Sequence, residues 1–110
     1  MPGTARISDV VKTQVADRIT AFNRAVLQDP QVYYLSRYRG AYLYLDRCDY
    51  GQVGPIGRLT YMGTLDRWEF AIYRYSAERY DPDEWLFPGA EEFDGTIEGA
   101  MRAGMAAYAL

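Results

Sequence analysis

The chain has 110 residues, 49% hydrophobic and 25% charged, with a formal charge of −3. These values are ordinary for a soluble globular domain, and a single domain over residues 1–110 is expected. Histidine is absent and Lys12 is the only lysine. The Ser-His-Asp and Cys-His arrangements, a structural zinc site and a P-loop therefore cannot be built within the chain.

The spacing predicts a helix over residues 4–28. Ile7, Val11, Val15, Ile19, Phe22 and Val26 recur every three or four positions and trace one stripe. Ser8 or Thr4 stands where a side-chain oxygen can accept a free first-turn N–H, and Asp9 suits the helix dipole. Arg18 and Arg24 lie off the stripe. Asp29-Pro30 closes the helix, because a residue before proline is driven out of the α region.

From Gln31 to Ser76 the pattern changes to alternation rich in β-branched and aromatic residues. It predicts strands at Ala41–Cys48, Ile56–Met62 and Trp68–Tyr75. A further strand over Val32–Tyr38, turning at Arg39-Gly40, would make four. DYGQVGP reads as the loop between the first two main strands, and GTLD as a short hairpin before the third. Sequential strands with short connections indicate an antiparallel meander.

Residues 77–95 hold no period and are broken by Pro82, Pro88 and Gly89, so they read as irregular loop. Trp85, Leu86, Phe87 and Phe93 are expected to pin that loop across the core. Asp94 or Thr96 then caps a last helix running to about Tyr108, with Ile97, Met101, Met105 and Tyr108 as its stripe. Gly99, Ala100, Ala103, Gly104 and Ala107 would let its backbone approach the sheet closely. The expected class is α+β: an N-terminal helix, an antiparallel meander of three or four strands, an irregular loop and a C-terminal helix, with both helices on one sheet face.

Alternate strand positions point to opposite faces. Leu43, Leu45, Leu59, Tyr61, Trp68, Phe70 and Ile72 form an aliphatic and aromatic side for the helices. Tyr42, Tyr44, Arg58, Thr60, Glu69, Tyr73 and Tyr75 fall on the other. The chain holds 11 tyrosines, interleaved with arginine at Arg37-Tyr38-Arg39, Tyr73-Arg74-Tyr75 and Arg79-Tyr80. Tyrosine joins a large apolar ring to a polar tip and suits half-buried surfaces and interfaces. Tyr42, Tyr44, Arg58, Tyr73 and Tyr75 are thus the candidate binding residues. Three readings suit them: cross-strand pairing on a half-solvated face, an interface such as a homodimer's, or a platform for bases or another flat ligand.

Three segments, RGAYLYLDRC, then PIGRLTYMGTLDRW, then EFAIYRYSAERYDPDEW, together resemble a small bacterial domain family of unknown function. The likeness covers about residues 37–80. It rests on Asp46-Arg47 in one strand, on Pro55, Arg58 and Tyr61 in the next, and on Trp68, Phe70, Ile72 and Tyr73 in the third. Members often continue with a basic, His-containing stretch, whereas this chain continues acidic. The resemblance implies a Tyr-rich three-stranded meander and no particular activity. The layout of helix, three strands and helix also resembles the double-stranded RNA-binding domain, which meets phosphates with basic residues at the start of its last helix. Here that place reads EEFDGTIEG, so duplex nucleic acid is not an expected partner.

Charge is divided unevenly. Residues 1–80 hold 11 Lys and Arg against 8 Asp and Glu, while residues 81–110 hold only Arg102 against 7 acids. Asp81, Asp83 and Glu84, and likewise Glu91, Glu92 and Asp94, are oxygen-rich clusters of the kind that can hold a divalent cation. They lack the spacing of a calcium loop and read as solvated or helix-entry charge, with no metal assigned. Asp46, Asp49, Asp66, Glu69 and Asp83 are the carboxylates available for acid–base work, and their spacing selects no pair. Cys48 reads as a small buried residue and Lys12 as a solvated lysine.

A lone cysteine, no apolar run of the roughly 18 residues a membrane span needs, and no secretory pattern in MPGTARISD together point to a cytoplasmic protein off the membrane. No cofactor is expected. The functional expectation is a non-enzymatic interaction module, self-associating or docking a protein partner through the Tyr/Arg-rich sheet face or an edge strand. The alternative is a small-ligand or single-stranded nucleic-acid module on that same face. The segment 81–98 could also dock a basic protein.

Overall fold

The computed structural model describes residues 6–109. Its elements in chain order are α1 (Asp9–Phe22), a π turn (Asn23–Leu27), β1 (Val32–Arg39), β2 (Tyr42–Asp49), β3 (Gln52–Thr64), β4 (Arg67–Arg74), β5 (Arg79–Asp81), a short 3₁₀ turn (Ala90–Glu92) and α2 (Ile97–Ala107). The strands form one antiparallel sheet in the order β1-β2-β3-β4-β5. The expected α+β class holds, with five strands rather than three or four. No helix among the described residues is long and apolar enough to cross a membrane.

Ser8 caps α1, its hydroxyl accepting from Val11 N–H at 3.2 Å. The alternative cap at Thr4 lies outside the described residues, but Arg6, Ile7 and Ser8 are described and not helical, so the helix begins at Asp9 and not at residue 4 as expected. Val15, Ile19 and Phe22 are buried along the anticipated stripe. The stripe fails at its end, where Val26 is 46% exposed. After Phe22 the helix widens into the π turn, closed by Gln28 N–H donating to Asn23 C=O, with Gln28 in the left-handed region at φ 57°. One extra residue in the turn rotates everything after it off the α period. That rotation sends Val26 outward. Asn23, still on the α period through its N–H to Ile19 C=O, faces β1, where its amide donates to Tyr34 C=O at 3.3 Å and accepts from Tyr34 N–H at 2.9 Å. The amide thus stands in for a neighbouring strand along an otherwise free sheet edge.

The segment read as a loop, DYGQVGP, is instead a two-residue hairpin. Tyr50 and Gly51 both have positive φ, 52° and 89°, and β2 and β3 continue on either side. Positive φ at both central positions matches the right-handed twist of paired strands. A bulge beside Leu45 and Asp46 shifts the register, so that Leu45 faces Gly57 and Asp46 faces Pro55. Proline, which has no N–H to give a ladder, is tolerated at such a break. The extra residue, Ile56, is buried against α2.

The core lies between the sheet and the two helices. Val15, Ile19 and Phe22 meet Leu43, Leu45, Leu59, Tyr61, Trp68 and Phe70, while Ile97, Ala100, Met101 and Ala103 complete it from α2. Thr96 caps α2, accepting from Gly99 N–H at 3.0 Å. A Cβ at Gly104 would stand 2.5 Å from the Ile56 Cγ2 and 2.7 Å from the Tyr34 hydroxyl. Only a residue without a side chain admits the helix this close to the sheet.

Residues 77–95 depart from the expectation in two ways. Arg79–Asp81 pairs with β4 as a fifth strand, Tyr73 opposite Tyr80. Beyond it, Phe87 and Phe93 pack on Phe70 at ring-centroid distances of 6.4 and 5.3 Å, on the helix side of the sheet. Trp85 and Leu86 do not join the core: Trp85 is exposed and Leu86 is 96% exposed. The segment therefore extends the sheet and backs the helices, leaving the tyrosine side uncovered.

Candidate functional site

Register assigns the outer face. Arg37, Tyr44, Arg58 and Ala71 stand side by side across β1 to β4, and Arg39, Tyr42, Thr60 and Glu69 form the next row. Directly paired residues share a face, so both rows point away from the helices. Tyr73 and Tyr80 make a third pair on that side.

The rings form one network. Tyr42 meets Tyr44 (6.2 Å between centroids), Tyr44 meets Tyr80 (5.2 Å) and Tyr80 meets Tyr73 (4.9 Å), at interplanar angles of 60–70°. The Arg37 side chain reaches the Tyr80 hydroxyl at 3.4 Å, joining the two edge strands. In a flat sheet those strands would lie roughly 19 Å apart, at about 4.8 Å per strand. They meet because the sheet coils toward this face and the long side chains lean inward over Ala71, which is buried beneath them. The outer face thus carries its own half-buried layer of phenols.

Charges on this layer are matched unequally. Arg37 donates to Asp46 through Nε at 2.5 Å and Nη2 at 3.1 Å, with its guanidinium 5.0 Å from the Tyr44 ring centroid. The Asp46 carboxylate holds the Arg37 pKa up, and burial raises that of Tyr80. Arg58 lies over Tyr42 at 4.5 Å and near Tyr80 at 5.8 Å. Its Nε is buried with no hydrogen-bond partner. Among the described residues no carboxylate lies within ion-pair distance of it.

Four of the five candidates, Tyr42, Tyr44, Arg58 and Tyr73, come together here. Tyr75 stands at the rim. It packs on Tyr73 at 4.9 Å and on Tyr108 at 5.2 Å, and its hydroxyl donates to Pro55 C=O at 2.7 Å. Gly54 leaves it room, since a Cβ there would lie 2.8 Å from the phenol oxygen. Tyr108 in turn donates its hydroxyl to Tyr73 C=O. Tyr75 is therefore a tether between sheet end and α2, though 50% exposed. Tyr80, Arg37 and Asp46 belong to the face and are missing from the candidate set. The interleaved Arg79-Tyr80 was a signal, but a segment read as loop could not be given a face.

The other constellations separate. Asp46 and Arg47, neighbours in sequence, point to opposite sides. Arg47 is buried, donating to Asp49 at 2.8 and 3.1 Å and to Tyr108 C=O at 2.6 Å, which ties β2 to the end of α2. Asp66 pairs with Arg18 at 2.8 Å. The carboxylates considered for acid–base work are thus dispersed. Asp81 is buried and pairs with Arg74 and Arg79, both at 3.1 Å. It also accepts from Asp83 N–H at 3.0 Å, the contact that does most to lower its pKa. Glu92 and Asp94 flank Arg102. Among the described residues, no three Cys, Asp or Glu side chains converge as a metal site would require. Cys48 is buried, and the Lys12 Nζ lies 5.1 Å from the Tyr38 ring centroid.

Chemically the outer face offers phenol hydroxyls, ring edges and, at its centre, the Arg58 cation with no ion-pair partner among the described residues. Edge-to-face packing occupies the ring faces that a nucleobase would need for stacking. Grooves of about 450 and 440 Å³ lie away from the face. The first sits beside the π turn, where Asn23, Arg24, Gln28 and Tyr33 line it, and the second lies at the sheet end, where Arg47, Asp49 and Tyr75 line it. Comparison of the chain with protein-family models, curated proteins and solved structures gives no match.

Proposed function

We propose that this protein is a non-enzymatic interaction module that associates with a second copy of itself through the outer face of its sheet. One observation carries the reading: Arg58 stands among Tyr42, Tyr44 and Tyr80 with a shielded Nε and no carboxylate within ion-pair distance among the described residues. A cation partly removed from water and left without an anion is unfavourable, and a partner's carboxylate relieves it. Tyrosine and arginine are also the residues that dominate the energetics of protein interfaces. No matching family supplies an activity, so geometry alone supports the proposal. The single-stranded nucleic-acid alternative loses ground because edge-to-face packing among the rings takes up ring faces that a base would need for stacking.

Sedimentation velocity over a wide concentration range tests this. The wild type is expected to shift from monomer to dimer with concentration. Arg58→Ala should weaken that association by roughly 30-fold, the equivalent of the ~2 kcal/mol that marks an interface hot spot. A wild-type protein that stays monomeric up to high micromolar concentration sinks the proposal.

A further inference from the structure

We infer that the outer face pairs with the same face of a second copy about a two-fold axis, with Glu69 of each copy meeting Arg58 of the other. The inference rests on the interaction reading above and supplies its geometry. Arg58 and Glu69 share the face, one on β3 and one on β4, with Glu69 opposite Thr60 and Arg58 opposite Ala71. They are a diagonal step apart. Within the chain they do not form an ion pair, because the guanidinium is drawn the other way, over the Tyr42 ring on β2. Glu69 is exposed and, like Arg58, has no ion-pair partner among the described residues.

The remaining buried charge on the face, Asp46, is matched by Arg37. Arg39 and Arg67 stand at strand ends, exposed, where water solvates them. The central cation and the nearby carboxylate are therefore complementary to each other. A two-fold contact is self-complementary: whatever residue i does to residue j, j does to i. One unmatched pair on one face thus makes two ion pairs across such an axis. With the axis near Thr60, Tyr42, itself 37% exposed, falls close to the centre, where aromatic anchors concentrate binding energy. Both edges of the sheet are poor alternatives, since Asn23 covers β1 at Tyr34 and β5 is three residues long.

Charge reversal tests the pairing. Sedimentation velocity at low salt is run on the wild type, Arg58→Glu, Glu69→Arg and the double variant, with circular dichroism and thermal melting as the check on folding. Each single reversal is expected to weaken dimerisation by tenfold or more, and the double variant to recover to within a few-fold of wild type. Glu69→Arg changes an exposed residue, so it keeps the test open if Arg58→Glu does not fold. A wild type that dimerises while Glu69→Arg leaves the affinity unchanged, or while the double variant only adds the two losses, overturns the pairing and leaves the interaction reading standing. A wild type that never dimerises overturns both, whether or not it then binds a short oligonucleotide or another protein.

Discussion

Replacing Tyr34 by phenylalanine removes one oxygen from the middle of the protein. That hydroxyl is buried and donates to the Met101 carbonyl of α2 at 2.7 Å, while the ring meets Phe22 edge-on at 6.0 Å. Phenylalanine keeps the ring and loses the bond, so Tyr34→Phe should be about 1 kcal/mol less stable at pH 8. The same burial makes the effect depend on pH. Desolvation pushes the Tyr34 hydroxyl up to about 12, whereas in the unfolded chain it ionises near its ordinary value of about 10. A raised folded pKa means the contribution is complete below pH 10 and is lost as pH rises through 12. At pH 11 the wild type should have lost about 1.4 kcal/mol through this group, one pH unit's worth. The variant has no such group, so the difference between the two proteins should shrink to near zero at pH 11. Urea unfolding of both at pH 8 and pH 11 measures it, the other tyrosines cancelling in the difference. A gap of the same size at both pH values would show that the phenol is not held neutral by burial. No gap at pH 8 would show that the bond to α2 contributes nothing.

Two further outcomes follow from the same kind of argument. Asn23→Ala removes both side-chain bonds to the Tyr34 main chain and bares the β1 edge. It should cost about 1–2 kcal/mol in urea unfolding and raise light scattering on heating, and an unchanged midpoint would mean that the edge needs no cover. Asp81→Asn leaves Arg74 and Arg79 without their shared carboxylate. Because the folded pKa of Asp81 is depressed, its contribution is present above its unfolded value near 4 and lost as pH falls through the lower folded one. The variant should therefore unfold at lower urea than wild type at pH 7, with the gap closing in acid. A gap that persists at pH 2 would contradict the ion-pair account.

Local chemistry determined much of this protein in advance. The 3.6-residue stripe from Val11 to Phe22, the Ser8 and Thr96 caps and the alternation of Leu43, Leu45, Leu59 and Phe70 each follow from side chains within a few positions of one another. So does the division of the sheet into a helix side and a tyrosine side, since strand geometry alone sends neighbouring residues to opposite faces. Where the reading failed, a distant contact decided. The helix widens into a π turn just after Asn23, whose amide holds the Tyr34 main chain eleven residues on, and Val26 is turned to water. Arg79–Asp81 is too short to carry a period and becomes a strand only because β4 offers it an edge. Ile56 enters the core through a bulge between Pro55 and Gly57, where β3 shifts register against β2. The grouping of Tyr44, Arg58 and Tyr80 had the same character, for a sequence states which face each residue takes but not how far a sheet coils. Arg37 of β1 and Tyr80 of β5 meet across that face, and the Arg58 guanidinium lies over the Tyr42 ring.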